Sequence, residues 1–159
     1  MTVVDARLDH LAIATEFAAA PEQWPVAPRF NPVDRWYHRL HVADDHEVWL
    51  LTWLPGQGTE WHDHGGSAGA FILVQGALTE LTATVAPDRP PRISPAARRL
   101  TVGALRPFGA KHVHRVTNHE LEPAVSLHVY SPALVEMNQY RAQGDRLEVV
   151  ASQLEGVNW

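Results

Sequence analysis

The hydrophobic period of this chain changes at Arg35, and that change restricts the fold more than any other feature. From there on, runs such as "WYHRLHV", "EVWLLTW" and "AVSLHVYSP" alternate with a period of two, the spacing of strands whose two faces meet different surroundings. Gly, Pro, Asn and Asp punctuate these runs, and "ADDH" reads as the turn between the first two. "AFILVQGALTELTATV" reads as a hairpin pivoting about Gln75 and Gly76. "PDRPPRISP" is too rich in proline for regular structure and is expected as an exposed loop. "ARRLTVGAL", "AKHVHRVTN" and "RLEVVAS" supply further strands. About eight short strands of this kind close into a small β-barrel or a double-sheet jelly roll.

Ahead of the strands, residues 5–20 read as an amphipathic helix with Leu8, Leu11, Ala12 and Phe17 on one side. Pro21, Pro25 and Pro28 end it and lead into an irregular link. The 159 residues fit one domain, with residues 1–34 as helix and link and 35–150 as the barrel core. Thirteen Lys and Arg against eighteen Asp and Glu give a net charge of −5 without a basic block, which argues against nucleic-acid binding. No apolar run reaches the ~18 residues that would cross a bilayer. The amino terminus lacks a basic segment followed by an apolar stretch, so a cytoplasmic protein is expected, as a monomer or small homo-oligomer.

The chain has no cysteine, which leaves nitrogen and oxygen as the only protein donors for a metal. It has ten histidines, and four of them form two HxH pairs, His62 with His64 and His112 with His114. On a strand, residues i and i+2 share a face, so either pair can offer two imidazoles to one ion. One member of the second pair would complete a site facing into the barrel. The segment "PGQGTEWHDHGG" resembles the first motif of the cupin superfamily, with Gly56 or Gly58, His62, His64 and Gly76 in place. The glutamate of that motif is absent; Ala68 and Gly69 stand there. The loss leaves either a dead site or a centre of three neutral histidines. Fe(II) among neutral ligands keeps its full charge and open positions for an anionic thiolate and dioxygen, whereas zinc on the same ligands would suit hydration or hydrolysis.

"AVSLHVYSP" sets Ser126, His128 and Tyr130 on one strand face, where they can form a hydrogen-bonded chain that carries the phenol into the site. Together, "HRVTNHELEPAVSLHVYSP", "HDHGGSAGAF" and "YHRL" resemble the cysteine dioxygenase family over residues 36–132. That family consists of cupin-fold, non-haem iron enzymes that oxidise the thiol of L-cysteine to the sulfinate with dioxygen. The resemblance implies a mainly β, cupin-type double-stranded β-helix with a short N-terminal helical segment. It makes His62, His64 and His114 the Fe(II) ligands, with His114 chosen over His112. It makes Ser126, His128 and Tyr130 the catalytic relay, and it sets Arg39 and Tyr37 at the substrate carboxylate, to which a guanidinium makes paired hydrogen bonds. His10, His38, His41, His46 and His119 are left as surface or structural residues.

Animal members of the family carry a cysteine at the place of Gly69, joined by a thioether to the tyrosine matched by Tyr130. This chain cannot form that crosslink, so Tyr130 is expected as a free phenol. Relatives with glutamine at the place of Arg39 resemble enzymes for 3-mercaptopropionate, so the arginine points to cysteine. The alternatives are a dioxygenase of another small thiol and a non-catalytic cupin that binds a metal or small ligand.

Overall fold

The computed structural model of the chain describes residues 8–154. One α-helix, α1 (His10–Ala19), precedes eleven strands. These are β1 (Tyr37–Val42), β2 (Glu47–Trp53), β3 (Trp61–His62), β4 (Ala68–Gln75), β5 (Leu78–Ala86), β6 (Arg89–Leu100), β7 (Leu105–Phe108), β8 (Val113–Thr117), β9 (Ala124–Ser131), β10 (Glu136–Gln143) and β11 (Arg146–Leu154). They form a five-stranded sheet in the order β1-β2-β9-β4-β7 and a ring of six, β10-β11-β6-β5-β8-β3, closed by the pairing of β3 with β10. Side chains from both meet in one core that includes Trp53, Phe71 and Leu73 from the first sheet and Leu78, Val116 and Met137 from the second. No helix among the described residues is long and apolar enough to cross a membrane.

The central strands β2 and β9 are buried on both faces, which explains why their alternation sets one apolar surrounding against another. Trp49, Leu51 and Trp53 of β2 point into the core between the sheets. Val48 and Leu50, with Val125, Leu127 and Val129 of β9, point the other way, where α1 covers them. The helix begins at His10, and residues 5–7 of the expected span lie outside the described residues. Asp9 caps it by accepting the Ala12 N–H at 3.0 Å. That frame turns Ile13, Ala14, Phe17 and Ala18 to the sheet and leaves Leu11 and Ala12 exposed, which corrects the expected apolar side except at Phe17.

Three further expectations are overturned. "ARRLTVGAL" is not one strand but the end of β6, a turn through Gly103 at φ 86° and the start of β7. β4 and β5 do not pair as a hairpin: β4 lies between β9 and β7, and β5 between β6 and β8. Gly76 at φ 74° carries the chain from one sheet to the other, and a Cβ there would meet Pro123 O at 2.5 Å. "PDRPPRISP" is not a loop but the hairpin turn and first half of β6. Its prolines beyond the turn occupy the register shifts: Pro90 and Pro91 lie between the Ala86–Arg89 and Thr84–Arg92 pairs, and Pro95 between Ala83–Ile93 and Leu81–Ala97. A residue in a bulge has no ladder N–H to supply, so proline is tolerated there. β10, "EMNQYRAQ", lacks apolar alternation and was not anticipated; it is held by β11 on one side and β3 on the other.

Gly69 fixes how closely β4 approaches β9. It pairs with Tyr130, and a Cβ at this position would stand 1.8 Å from Val129 O and 2.9 Å from the Phe108 ring. Gly69→Ala is therefore expected to lower the unfolding free energy by more than about 2 kcal/mol. Gly109→Ala, whose Cβ meets nothing within 4 Å, is expected to change it by less than about 0.5 kcal/mol. Urea denaturation of the two variants checks the contrast.

Candidate functional site

The antiparallel pairing of β3 with β8 sets His62 directly opposite His114. His64 lies just past β3, where Gly65 at φ 58° and Gly66 at φ 98° turn the chain back toward β4. All three imidazoles are buried, and one nitrogen from each lies within 4.8 Å of the other two. Asp63, between the first two, faces β10: its carboxylate accepts the Asn138 N–H at 3.0 Å and the Tyr140 O–H at 2.8 Å. These bonds fasten β3 to β10, and burial together with Asp63 pushes the Tyr140 phenol up from its ordinary pKa.

Hydrogen bonds determine which nitrogen of each paired ring is available. His62 Nδ1 lies 2.8 Å from the Glu60 carbonyl and must donate to it, so Nε2 keeps its lone pair. His114 Nδ1 lies 2.8 Å from Glu80 Oε2 and donates likewise. The two Nε2 atoms face each other at 3.1 Å. Two lone pairs in a buried place repel unless a cation lies between them. Donors at right angles round an ion ~2.1 Å from each stand about 3 Å apart, so this spacing fits a metal. His64 adds a buried Nδ1 with no hydrogen-bond partner. Burial, then the neighbouring His114, holds His62 and His64 well below the ordinary imidazole pKa, which keeps them neutral as metal ligands must be.

Glu80, on β5, touches this group through His114, and it is fully buried. Arg106 Nε donates to its Oε1 at 2.9 Å, and His112 Nε2 stands 3.5 Å from its Oε2. Burial pushes the Glu80 carboxyl up, but nearby His112 and the bonds from His114 and Arg106 outweigh it and hold the group ionised far below the usual range. His114 thus groups with His62 and His64, while His112 lies beside His114 and approaches the same Glu80 oxygen.

Ser126, His128 and Tyr130 share the inward face of β9, as their spacing requires. Ser126 Oγ lies 2.8 Å from His128 Nε2, and the Tyr130 hydroxyl 3.4 Å from His128 Nδ1. Trp53 orders the chain's protons. Its indole N–H can only donate, and it donates to Ser126 Oγ at 2.9 Å. The Ser126 hydroxyl is then free to donate to Nε2, which leaves the ring proton on Nδ1, directed at the Tyr130 oxygen. Burial first, then His114 and Arg35, lowers the His128 pKa to about 3, so the ring is neutral. Burial also raises the Tyr130 pKa, so the phenol keeps its proton and can donate it to a ligand.

His62, His114, His128 and Tyr130 line a narrow cavity together with Tyr37, Trp53 and Arg35. Arg39 is not among the lining residues. Its guanidinium lies 3.6 Å from the buried Glu47 carboxylate and over the Trp49 ring at 5.8 Å, with the side chain 42% exposed. Glu47 would otherwise hold an uncompensated buried charge, and this need draws Arg39 away from the cavity. Arg35, two residues before Tyr37, enters instead, with its guanidinium 4.9 Å over Trp53 and Nη1 buried. Burial lowers its pKa while Tyr130 and Tyr37 oppose the shift. Arg35, Tyr37 and Thr59 also line a wider outer cleft, so they stand where the cavity opens. Sequence reasoning missed Arg35, Trp53 and Glu80. The parity that Arg35 shares with Tyr37, and a charge at the inward position Glu80 of an otherwise apolar run, were the available signals.

The family model described as cysteine dioxygenase type I matches residues 3–143. Cysteine dioxygenase type 1 of Homo sapiens is 30% identical over 132 residues, which cover 76% of this chain and 62% of the human protein. The Danio rerio protein of the same name is 31% identical over 127 residues, covering 73% and 60%. The chain therefore spans about three fifths of the length of the curated relatives it matches. Among solved structures, a protein with a double-stranded β-helix domain from Klebsiella pneumoniae superposes with a TM-score of 0.58 at 14% identity, over 87% of this chain and 95% of that one. A cupin superfamily protein from Desulfitobacterium hafniense superposes with a TM-score of 0.51 at 12% identity, over 67% and 83%. These two likenesses carry the fold, the double-stranded β-helix of cupins, and the sequence matches carry the family. The chain belongs to the cysteine dioxygenase type I family.

Proposed function

We propose that this protein is a thiol dioxygenase that oxidises L-cysteine to cysteine sulfinic acid at an Fe(II) ion held by His62, His64 and His114. The observation that carries the reading is the convergence on one cavity of paired histidines with free lone pairs, a buried guanidinium and a protonated phenol. Bound Fe(II) would supply a redox-active centre open to a thiolate and dioxygen. The balance is R–S⁻ + O2 → R–SO2⁻, in which sulfur gives up four electrons and both oxygen atoms join it. No external reductant is required.

The chain's own residues have distinct tasks in this reading. Arg35, at the mouth of the cavity, takes the substrate carboxylate through paired hydrogen bonds, a task expected of Arg39 from sequence. Tyr37 lies beside it. Tyr130 donates its O–H to the reacting end of the substrate, and His128, Ser126 and Trp53 hold the phenol in that sense. The apolar walls Leu51, Leu134 and Met137 exclude water from the thiolate. A second reading has its own observation: no Asp or Glu lines the cavity among the described residues, so no protein anion selects for an ammonium group. 3-Mercaptopropionate, which keeps the carboxylate and lacks the amine, is therefore the competing substrate.

Oxygen uptake by the iron-loaded protein tests the function. L-Cysteine is expected to consume one O2 per thiol and gain two oxygen atoms by mass, while cysteamine, without a carboxylate, reacts poorly. Turnover of 3-mercaptopropionate with none of cysteine would overturn the substrate, and no thiol-dependent uptake would overturn the activity. Arg35→Ala is expected to raise KM for cysteine about tenfold or more, because a charge-assisted pair is lost. Arg39→Ala should leave KM within about threefold and lower the melting temperature, since Glu47 loses its counter-ion. Steady-state kinetics with thermal melting separates the two arginines. Tyr130→Phe should keep the metal and slow kcat by roughly 10²-fold, measured by single-turnover sulfinate formation.

A further inference from the structure

The carboxylate missing from positions 68 and 69 has a counterpart one bond farther out. β5 lies beside β8, with Thr82 opposite His114, so Glu80 is the diagonal neighbour of His114 on the same inward face. We propose that Glu80 is a positioning residue that sets the metal affinity of the three-histidine centre, with Arg106 as its anchor. This rests on the metal reading given above.

An ionised carboxylate only accepts, so the 2.8 Å contact fixes the proton of His114 on Nδ1 and turns the Nε2 lone pair toward His62 Nε2. Without that acceptor the ring is free to take the other tautomer, whose Nε2–H would point at the metal position. The negative charge also strengthens His114 as a donor, since the partner of the distal N–H tunes the basicity of the coordinating nitrogen. Arg106 Nε occupies Oε1 at 2.9 Å, which keeps Oε2 for the histidine. His62, by contrast, is held by the neutral carbonyl of Glu60. The ion thus meets three neutral donors, and the single anion acts on it only through His114. Glu80 lies with His112 and His114 in a group whose ligand atoms also come within 4.8 Å of one another, but Arg106 already supplies the cation there.

Competition between a chromophoric chelator and the purified full chain for Fe(II) tests the proposal, with the Co(II) absorption spectrum as a second readout and apo-protein melting as the fold control. Wild type is expected to bind one ion per chain. Glu80→Gln, of equal size but uncharged, should weaken Fe(II) binding 10- to 100-fold and shift the Co(II) bands while the apo protein melts near wild type. Arg106→Gln, which spares Glu80 itself, should weaken it in the same direction and less, and Glu80→Asp should recover part of the loss. Wild-type affinity and spectrum in folded Glu80→Gln, with His114→Ala unable to bind, would overturn the role of Glu80 and leave the metal reading standing. Wild type binding no Fe(II) would overturn both. A second Co(II) on the wild-type chain that is lost in Glu80→Gln would also overturn it, because Glu80 would then be a ligand.

Discussion

The pairing of β3 with β8 carries the candidate site of this molecule, because it brings two buried imidazole lone pairs to 3.1 Å. Such a contact is repulsive by itself, and its persistence depends on what surrounds it. Glu60 and Glu80 fix the protons on the far nitrogens, Asp63 fastens the short strand β3 to β10, and the core between the sheets excludes solvent. β3 has only two residues and could not hold a register by its own ladder. Its position is set instead by the strands on either side and by the Asp63 bonds.

Around that pair, charge is distributed in layers. The three histidines are neutral, the one carboxylate acts through a hydrogen bond, and the nearest cation in the cavity is the Arg35 guanidinium at its mouth. The phenol of Tyr130 is protonated, and His128 behind it is neutral. An anionic thiol bearing a carboxylate would meet a positive end at Arg35 and a hydrogen-bond donor at Tyr130, with no Asp or Glu lining the cavity among the described residues. Gly69 lets β4 approach Tyr130's strand closely, so the tyrosine stands beside bare backbone.

What the sequence revealed followed from local periodicity. Strands β1, β2, β4 and β9 of the five-stranded sheet were legible because their positions alternate, and the facing of Ser126, His128 and Tyr130 followed from the same rule, whereas β7 was missed. The β4–β5 hairpin was misread because Gln75-Gly76 announces a turn without saying which sheet receives the next strand. The prolines of β6 were misread because a bulge is a relation between two strands and has no signature in one of them. The different placement of the two arginines was hidden for a related reason. Arg35 and Arg39 have the same parity on an extended segment, and only the buried Glu47, contributed by the neighbouring strand, decides which of them turns away. Glu80 was hidden because its partner His114 is remote in sequence.

An anaerobic crystal structure of the iron-loaded protein with L-cysteine tests the central claim most directly. The account predicts the metal bound to His62, His64 and His114, the substrate sulfur directed at it, and the carboxylate paired with the Arg35 guanidinium. A carboxylate resting on Arg39, or a metal held elsewhere than by these three histidines, would contradict it.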